Sequence, residues 1–198
     1  LSLGGELPAE LVPVYQRAFD AANASGVVVV AAAGNDGTTV AQYPCSFAHV
    51  ICVGSTTNDG TAVSSFSNRT PALALVAPGE QIVSTLPDNV YQYWSGTSMA
   101  APHVTATVAL MRAIDPSIGV DAVTAGLEQT AKPLVGGGRN PDSGFGLLQV
   151  GAAVALAATG SAPLPTPTPD PSVEPTPDPS VEPTPTPIAS PTPAPDPL

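Results

Sequence analysis

The residue with the clearest chemical potential is Ser98, in the run Ser95-Gly96-Thr97-Ser98. Gly96 permits a tight turn, and the apolar pattern that follows predicts a helix over residues 99–114. Ser98 would stand at the amino end of that helix, where unpaired N–H groups and the helix dipole favour negative charge. This environment suits a serine nucleophile whose substrate develops an oxyanion. The spacing also fits a plain N-cap made by the hydroxyl of Ser98 or Thr97, and on spacing alone the cap is the more frequent case.

A serine hydroxyl needs a general base, and two histidines are present to supply one. His103 follows Ser98 by five residues, which along a helix means about 7.5 Å of rise and about 140° of rotation. We therefore expect its imidazole to pack on the helix rather than to reach the Ser98 hydroxyl. His49 precedes a predicted strand, and we expect it to be a structural residue or a residue at the rim of a site.

Cys45 and Cys52 flank a short turn that leads into a strand. A disulfide between them would close a small loop, as in extracellular proteins, and would stabilise the fold by about 2–3 kcal/mol. Two buried free thiols are an equally good interpretation, because the span could be too extended to close. The pair lacks the C-x-x-C spacing of zinc and redox sites, so no metal centre is predicted there.

The elements that must position these groups alternate between helices and buried strands. Apolar runs without polar alternation predict strands that are buried on both faces, at residues 27–33, 50–54 and 73–76. Segment 81–85 is predicted to continue in extended form. Apolar residues at helical spacing predict helices at residues 8–23, 99–114, 121–129 and 150–158. This order of elements predicts an α/β layered fold with a parallel sheet.

Composition divides the chain into two parts. Residues 1–160 carry 11 acidic and five basic residues, a net charge of −6, which argues against nucleic acid or an anionic membrane surface as a partner.

Residues 161–198 hold 15 of the 25 prolines and no Lys or Arg, and an eight-residue repeat occupies 169–176 and 177–184. Alternating prolines favour polyproline II, so this part is predicted to be a disordered tail. It is either a spacer toward a further domain or the cell surface, or an end without a partner. No apolar run long enough for a membrane span occurs in the sequence.

A longer motif surrounds Ser98. The letters GTSMAAPHV at residues 96–104 fit G-T-S-M-A-x-P-H-V, the serine signature of the subtilisin-like proteases. The segments SLGG at 2–5, VVVVAAAGNDG at 27–37 and GFGL at 144–147 resemble other family segments in the expected order. The resemblance covers residues 1–158, and it implies a three-layer subtilisin-like fold, with a mostly parallel sheet flanked by helices.

The resemblance implies catalytic roles for two residues. Ser98 would be the nucleophile of a serine-type endopeptidase that acts on protein or peptide substrates. The Asn35 side-chain amide and the Ser98 backbone N–H would bind the oxyanion. By residue type alone, Asn35 is a turn residue that tolerates left-handed geometry.

The resemblance also implies a substrate cleft. An extended peptide would be held by β-pairing with Ser2, Leu3 and Gly4. The pocket for the residue before the cleaved bond would be lined by Ala32, Ala33, Gly34 and Asp36, with Gln42 near its floor.

The acid and the base of the triad have no candidate in this sequence. Neither histidine stands in the family's H-G-T-H context. Asp142 opens a D-[ST]-G triplet, but it lies downstream of Ser98, and we reject it. We therefore expect the aspartate and histidine segments to precede Leu1, so that the fold is incomplete at its N-terminus.

The sequence thus predicts the C-terminal portion of a subtilisin-like peptidase domain at 1–160 and a Pro/Thr-rich disordered tail or linker at 161–198. The portion alone is predicted to be inactive, and the protein to be secreted or on the cell surface. The alternative is a non-catalytic peptide-binding fragment or pseudoenzyme. No cofactor is predicted from the residues. The resemblance implies calcium, whose main site would lie in the missing N-terminal half of the catalytic domain.

Overall fold

The computed structural model describes residues 1–159, so the tail predicted for 161–198 lies outside the described residues. A parallel sheet of three strands has the order β1 (Val29–Ala32), β2 (Val50–Thr56), β3 (Leu73–Pro78). The register pairs Val29 with Val50 and Cys52 with Leu73. The three predicted strands are confirmed, with ends that shift by a few residues.

Four helices accompany the sheet, namely α1 (Val12–Ala24), α2 (Thr97–Ile114), α3 (Val120–Thr130) and α4 (Val150–Thr159). The predicted start of the first helix at residue 8 is wrong. Pro13 lies in the first turn of α1, and a proline ring would clash with the carbonyl four residues earlier if the helix extended upstream. Among the described residues, no helix has the length and apolar character that a membrane crossing requires.

Both faces of the sheet are covered by apolar side chains, as predicted. On one face, Ile51, Val53 and Leu75 pack against α2, α3 and α4 in one core cluster. On the other face, Ala31, Cys52 and Val76 belong to a second cluster with Cys45. Because strand side chains alternate between the two faces, nearly continuous apolar runs produced this double burial. The sheet, packed on both faces, therefore supports the loops at its edges.

A two-stranded antiparallel hairpin precedes α2. It consists of β4 (Ile82–Leu86) and β5 (Val90–Trp94), joined by a 3-10 turn at Pro87–Asn89. The predicted extended segment is confirmed in β4, whereas β5 was not predicted. Its turn has a recognisable sequence, because Asp88 and Asn89 both adopt left-handed geometry, which these residue types tolerate. The hairpin leads directly into the segment that carries Ser98.

Glu128 in α3 gives the fold a pH dependence. Burial raises the pKa of its carboxyl, against the opposing effect of the Arg139 guanidinium. Because the pKa is higher in the folded state, folding disfavours the carboxylate, and stability decreases as the pH rises between the unfolded and the folded pKa. We expect Glu128→Gln to raise the free energy of unfolding at about pH 7 and to leave it unchanged near pH 3. Urea unfolding at both pH values measures this. An equal increase in the free energy of unfolding at both pH values would contradict the explanation by ionisation of Glu128.

Candidate active site

The position of Ser98 is fixed by the start of α2. The helix begins at Thr97, with Gly96 as its N-cap residue and no side-chain capping bond. The alternative in which Ser98 or Thr97 caps the helix is therefore wrong. The half-buried Ser98 donates from its hydroxyl to the Ser2 carbonyl at 3.4 Å, and the Ser2 hydroxyl donates to the Ser98 carbonyl at 2.9 Å. Ser98 therefore stands at the positive end of the helix dipole, beside the segment that begins the chain.

Asn35 lies next to Ser98 because Thr97 binds it. The Asn35 Oδ1 atom accepts hydrogen bonds from the Thr97 backbone N–H at 2.8 Å and from the Thr97 hydroxyl at 2.9 Å. The Thr97 hydroxyl also accepts from the Gly34 N–H at 3.1 Å. The Asn35 Nδ2 atom donates to no group among the described residues, and it would lie 3.5 Å from a Cβ atom on Gly96. Thr97, which is fully buried, is a positioning residue that the sequence analysis missed.

Asn68 organises the loop that follows β1. Its Nδ2 donates to the Ala33 carbonyl at 3.0 Å, and its Oδ1 accepts from the backbone N–H groups of Asp36 and Thr38. Its own N–H donates to the Gly34 carbonyl at 3.0 Å. The side chain is fully buried, so these bonds define the course of the loop on both sides of Asn35. The sequence analysis missed this role, because residue 68 lies outside every predicted helix and strand.

The residues predicted to form the two sides of the substrate cleft lie on neighbouring segments. A Cβ atom on Gly4 would lie 3.5 Å from the Tyr43 carbonyl and 3.7 Å from the Ala32 carbonyl, so the 2–4 segment runs between them. Leu3 is 60% exposed and free to meet a ligand. The residues predicted for the other side of the cleft follow β1. Ala32 and Ala33 are buried, Gly34 is half-buried and Asp36 is exposed.

Gln42 lies beside Gly34, on one side of the predicted cleft. Its side chain is 8% exposed, and its Cγ atom would lie 3.3 Å from a Cβ atom on Gly34. Gly34 has φ +102°, and such a Cβ atom would also fall 2.3 Å from Asn68 Nδ2. A glycine is therefore required at position 34, because a side chain there would overlap Asn68 and press on Gln42.

Neither histidine is bonded to the Ser98 hydroxyl. The His103 Nδ1 atom pairs with the Met99 carbonyl oxygen of its own helix at 2.9 Å, as the helical spacing predicted. The His49 Nε2 atom lies 3.9 Å from Asp20 Oδ1 on the surface. Asp142, the rejected acid, lies 3.6 Å from Arg69 in an exposed ion pair. The described residues thus place Ser98 beside Thr97 and its partner Asn35, with neither histidine bonded to the Ser98 hydroxyl.

Metal-binding side chains do not cluster in the part of the chain that the structure describes. No group of three or more His, Cys, Asp or Glu residues lies close enough there to hold an ion. The calcium that the family resemblance implies stays a prediction.

Comparison with known proteins gives a consistent result. The Peptidase_S8 model, described as the subtilase family, matches residues 1–147. Subtilisin DY of Bacillus licheniformis is 39% identical over 157 residues, which cover 77% of this chain and 55% of that protein. The major intracellular serine protease of Bacillus subtilis is 44% identical over 120 residues, 58% of this chain and 36% of that protein. The chain thus spans about half or less of the length of these relatives.

Solved structures resemble the chain in fold as well. The crystal structure of a lanthipeptide protease superposes with a TM-score of 0.72 at 25% identity, and the match covers 79% of this chain and 60% of that one. A protease from Pseudoalteromonas arctica gives a TM-score of 0.70 at 30% identity, with 79% and 50% coverage. The predicted α/β fold, with a parallel sheet and flanking helices, is confirmed.

Proposed function

Because this chain belongs to the subtilase family of serine proteases, we propose that it supplies the nucleophile and the oxyanion hole of a serine endopeptidase. The observation that carries the proposal is the pair of hydrogen bonds from Thr97 to Asn35 Oδ1, which leaves the Asn35 amide donors open beside Ser98. An oxyanion hole requires such donors to be positioned before the reaction, because reorientation in the transition state would cost free energy. This arrangement supports the roles that the family resemblance implies for Ser98 and Asn35.

The proposed reaction is acyl transfer. The Ser98 Oγ attacks the peptide carbonyl, its proton passes to a general base, and the C–N bond breaks as the base returns a proton to the leaving amine. Asn35 Nδ2 and the Ser98 N–H donate to the oxyanion during both steps. Water then hydrolyses the acyl-enzyme. We propose that the base and its orienting acid come from outside residues 1–159, since neither described histidine is bonded to Ser98.

The proposed substrate is an extended peptide. Its acyl side would pair with the backbone of Ser2, Leu3 and Gly4, while its side chain before the cleaved bond would enter the pocket along Ala32–Gly34 and Asp36. Gln42, which lies beside Gly34, is proposed to make this pocket partly polar.

The nucleophile is tested by a peptide boronic acid, which forms a tetrahedral adduct with an active serine at equilibrium. We expect the 198-residue chain to bind it and Ser98→Ala to weaken binding at least about 100-fold, because transition-state analogues owe their affinity to such contacts. Ser95→Ala, in the same segment, is the matched control and should bind as the unmodified chain does. Equal binding by Ser98→Ala would refute the assignment.

The base is tested by turnover. We expect the 198-residue chain alone to hydrolyse no peptide. A hybrid in which the residues of Subtilisin DY that precede its aligned segment are joined to Leu1 should hydrolyse peptides and lose this activity with Ser98→Ala. Turnover by the chain alone would show that the base lies within it.

The second candidate is a non-catalytic peptide-binding protein, which the absence of a bonded base at Ser98 among the described residues favours. It predicts peptide binding without turnover in the hybrid as well.

We place the protein outside the cell or on its surface. The disulfide between Cys45 and Cys52 supports this, because disulfides persist in oxidising compartments. The relatives do not decide the question, since one of them is named as an intracellular protease. The prediction that the tail links to a further domain or to the cell surface stays a prediction.

A further inference from the structure

The disulfide between Cys45 and Cys52 lies directly behind the proposed cleft. Both cysteines are buried, at 1% and 0% exposure. Cys52 is on the central strand β2, in register with Ala31 of β1, and the Cys45 Sγ atom lies 3.6 Å from the Ala31 carbonyl oxygen. The pocket wall begins at the next residue of β1, Ala32. The disulfide therefore joins the β1–β2 connection to the sheet immediately beneath that wall.

The segment held by the disulfide carries the opposite side of the cleft. The Tyr43 N–H donates to the Gly5 carbonyl at 2.8 Å, and the Gly5 N–H donates to the Tyr43 carbonyl at 3.0 Å. This pair fixes the end of the 2–4 segment, with which substrate is proposed to pair. Gln42, one residue before Tyr43, contributes the wall beside Gly34. Two surfaces of the cleft thus depend on where residues 42 and 43 lie.

The disulfide is one of several contacts that hold this half of the connection between β1 and β2. Between β1 and β2, residues 33–49 contain no helix or strand, and their one bridge is the pairing of Tyr43 with Gly5. Asn68 binds the first half of the connection, up to Thr38. The second half is held by stacking of Phe47 on Phe19 at 4.7 Å, by two hydrogen bonds between Gln16 of α1 and the backbone of Ala48, and by the disulfide. Of these, only the disulfide joins the segment to the sheet beneath the pocket wall.

We propose that the Cys45–Cys52 disulfide is a positioning element for the acyl-side half of the substrate cleft, a proposal that rests on the function proposed above. A cleft held in its binding geometry spares an extended peptide the cost of ordering the protein. Because both sulfur atoms are buried, a reductant reaches them only when the fold opens locally. The disulfide therefore acts as a permanent constraint and not as a redox switch.

Hydrogen exchange tests the positioning without a ligand. The variant is Cys45→Ala/Cys52→Ala in the 198-residue chain, because serine would bury two unpaired hydroxyl groups. We expect the amides of Gly5 and Tyr43 to exchange at least about tenfold faster in the variant, while the strand amides of Val53 and Leu75 keep their protection. Unchanged exchange at Gly5 and Tyr43 would overturn the proposal.

The matched control is Leu127→Ala, which removes a fully buried side chain of α3 outside the cleft. A general loss of stability should accelerate exchange of the strand amides without singling out Gly5 and Tyr43. If the control reproduces the selective effect of the cysteine variant, the disulfide is a stabilising crosslink only, and the proposal fails.

Peptide binding tests the consequence. The probe is a blocked tetrapeptide, and binding is followed by the fluorescence of Trp94, the one tryptophan of the chain. We expect the folded cysteine variant to bind about tenfold more weakly than the unmodified chain, and Leu127→Ala to bind equally well. Equal affinity in the cysteine variant would overturn the proposal. If the unmodified chain does not bind the peptide, the proposed function fails, and exchange alone decides the positioning.

Discussion

Replacing Asn35 with leucine is expected to lower kcat of the hybrid protease about 10²–10³-fold, with little change in KM. The size of this effect is the one known for removal of an oxyanion-hole donor in a subtilisin. The structural reason in this chain is that Asn35 Oδ1 is already occupied by Thr97, so Nδ2 is the part of the side chain that remains for the substrate. Because the oxyanion exists only in the transition state, the lost donor should act on the rate and not on ground-state binding.

Asn35→Asp separates the two functions of this side chain. The aspartate keeps an acceptor for the Thr97 N–H and hydroxyl, but it has no donor and places a negative charge beside the oxyanion. We expect a loss of kcat at least as large as that of Asn35→Leu, while the folded structure persists by circular dichroism. Activity of Asn35→Asp within about tenfold of the unmodified hybrid would contradict the proposed donor. In the 198-residue chain, both variants should weaken binding of the peptide boronic acid.

The largest effect on stability is expected for Gly144→Ala. Gly144 has φ +59°, and a Cβ atom there would lie 2.2 Å from the Ala74 carbonyl oxygen and 2.8 Å from the Leu75 backbone nitrogen. The backbone cannot move aside easily, because Gly144 exchanges two hydrogen bonds of 2.9 Å with Asn140, and the Phe145 N–H donates to Ala74. We expect a loss of more than about 4 kcal/mol in the free energy of unfolding, which is a large part of the stability of a typical domain. Urea unfolding of the 198-residue chain measures it.

Gly136→Ala is the matched control for this substitution. Gly136 has φ +62°, almost the same backbone conformation, but a Cβ atom there would meet nothing within 4 Å. Gly136→Ala should lower the free energy of unfolding only by the cost of left-handed backbone geometry, about 1–2 kcal/mol. If the two variants lose similar stability, steric overlap with Ala74 does not determine the requirement for glycine at position 144.

The parts of the fold that the sequence predicted are those written in local patterns. Strands β1, β2 and β3 are short apolar runs buried on both faces, and α2 follows a glycine turn with apolar residues at helical spacing. The start of α1 was misplaced because an apolar periodicity continued upstream of Pro13, where backbone sterics forbid a helix. Strand β5 was not predicted, because its residues show no alternation of polar and apolar side chains. Three of them are aromatic, and all of them are exposed.

The residues of the candidate site that belong to a sequence motif were predicted. The contacts between residues that are distant in the sequence were not. Ser98 and Asn35 were identified through family resemblance, since a lone Ser or Asn has a structural explanation in each place. The contacts of Thr97 with Gly34 and Asn35, and those of Asn68 with Ala33 and Asp36, join residues that are 30 or more positions apart. Such pairs depend on the packing of the sheet edge against α2, which local sequence patterns do not encode. The disulfide was left open for the same reason, because its closure depends on the path of residues 45–52.

The bonds between Asn35 and Thr97 also determine how these positions can change over evolutionary time. One hydroxyl group accepts from Gly34 and donates to Asn35, so a substitution at either position alters the environment of the other. A lineage that loses the threonine hydroxyl keeps only the residue 97 backbone N–H to orient the amide, and one that replaces Asn35 with an apolar residue leaves a buried hydroxyl and a helix N–H without their acceptor. Sequence drift at positions 35 and 97 should therefore be coupled, although 62 residues separate them along the chain.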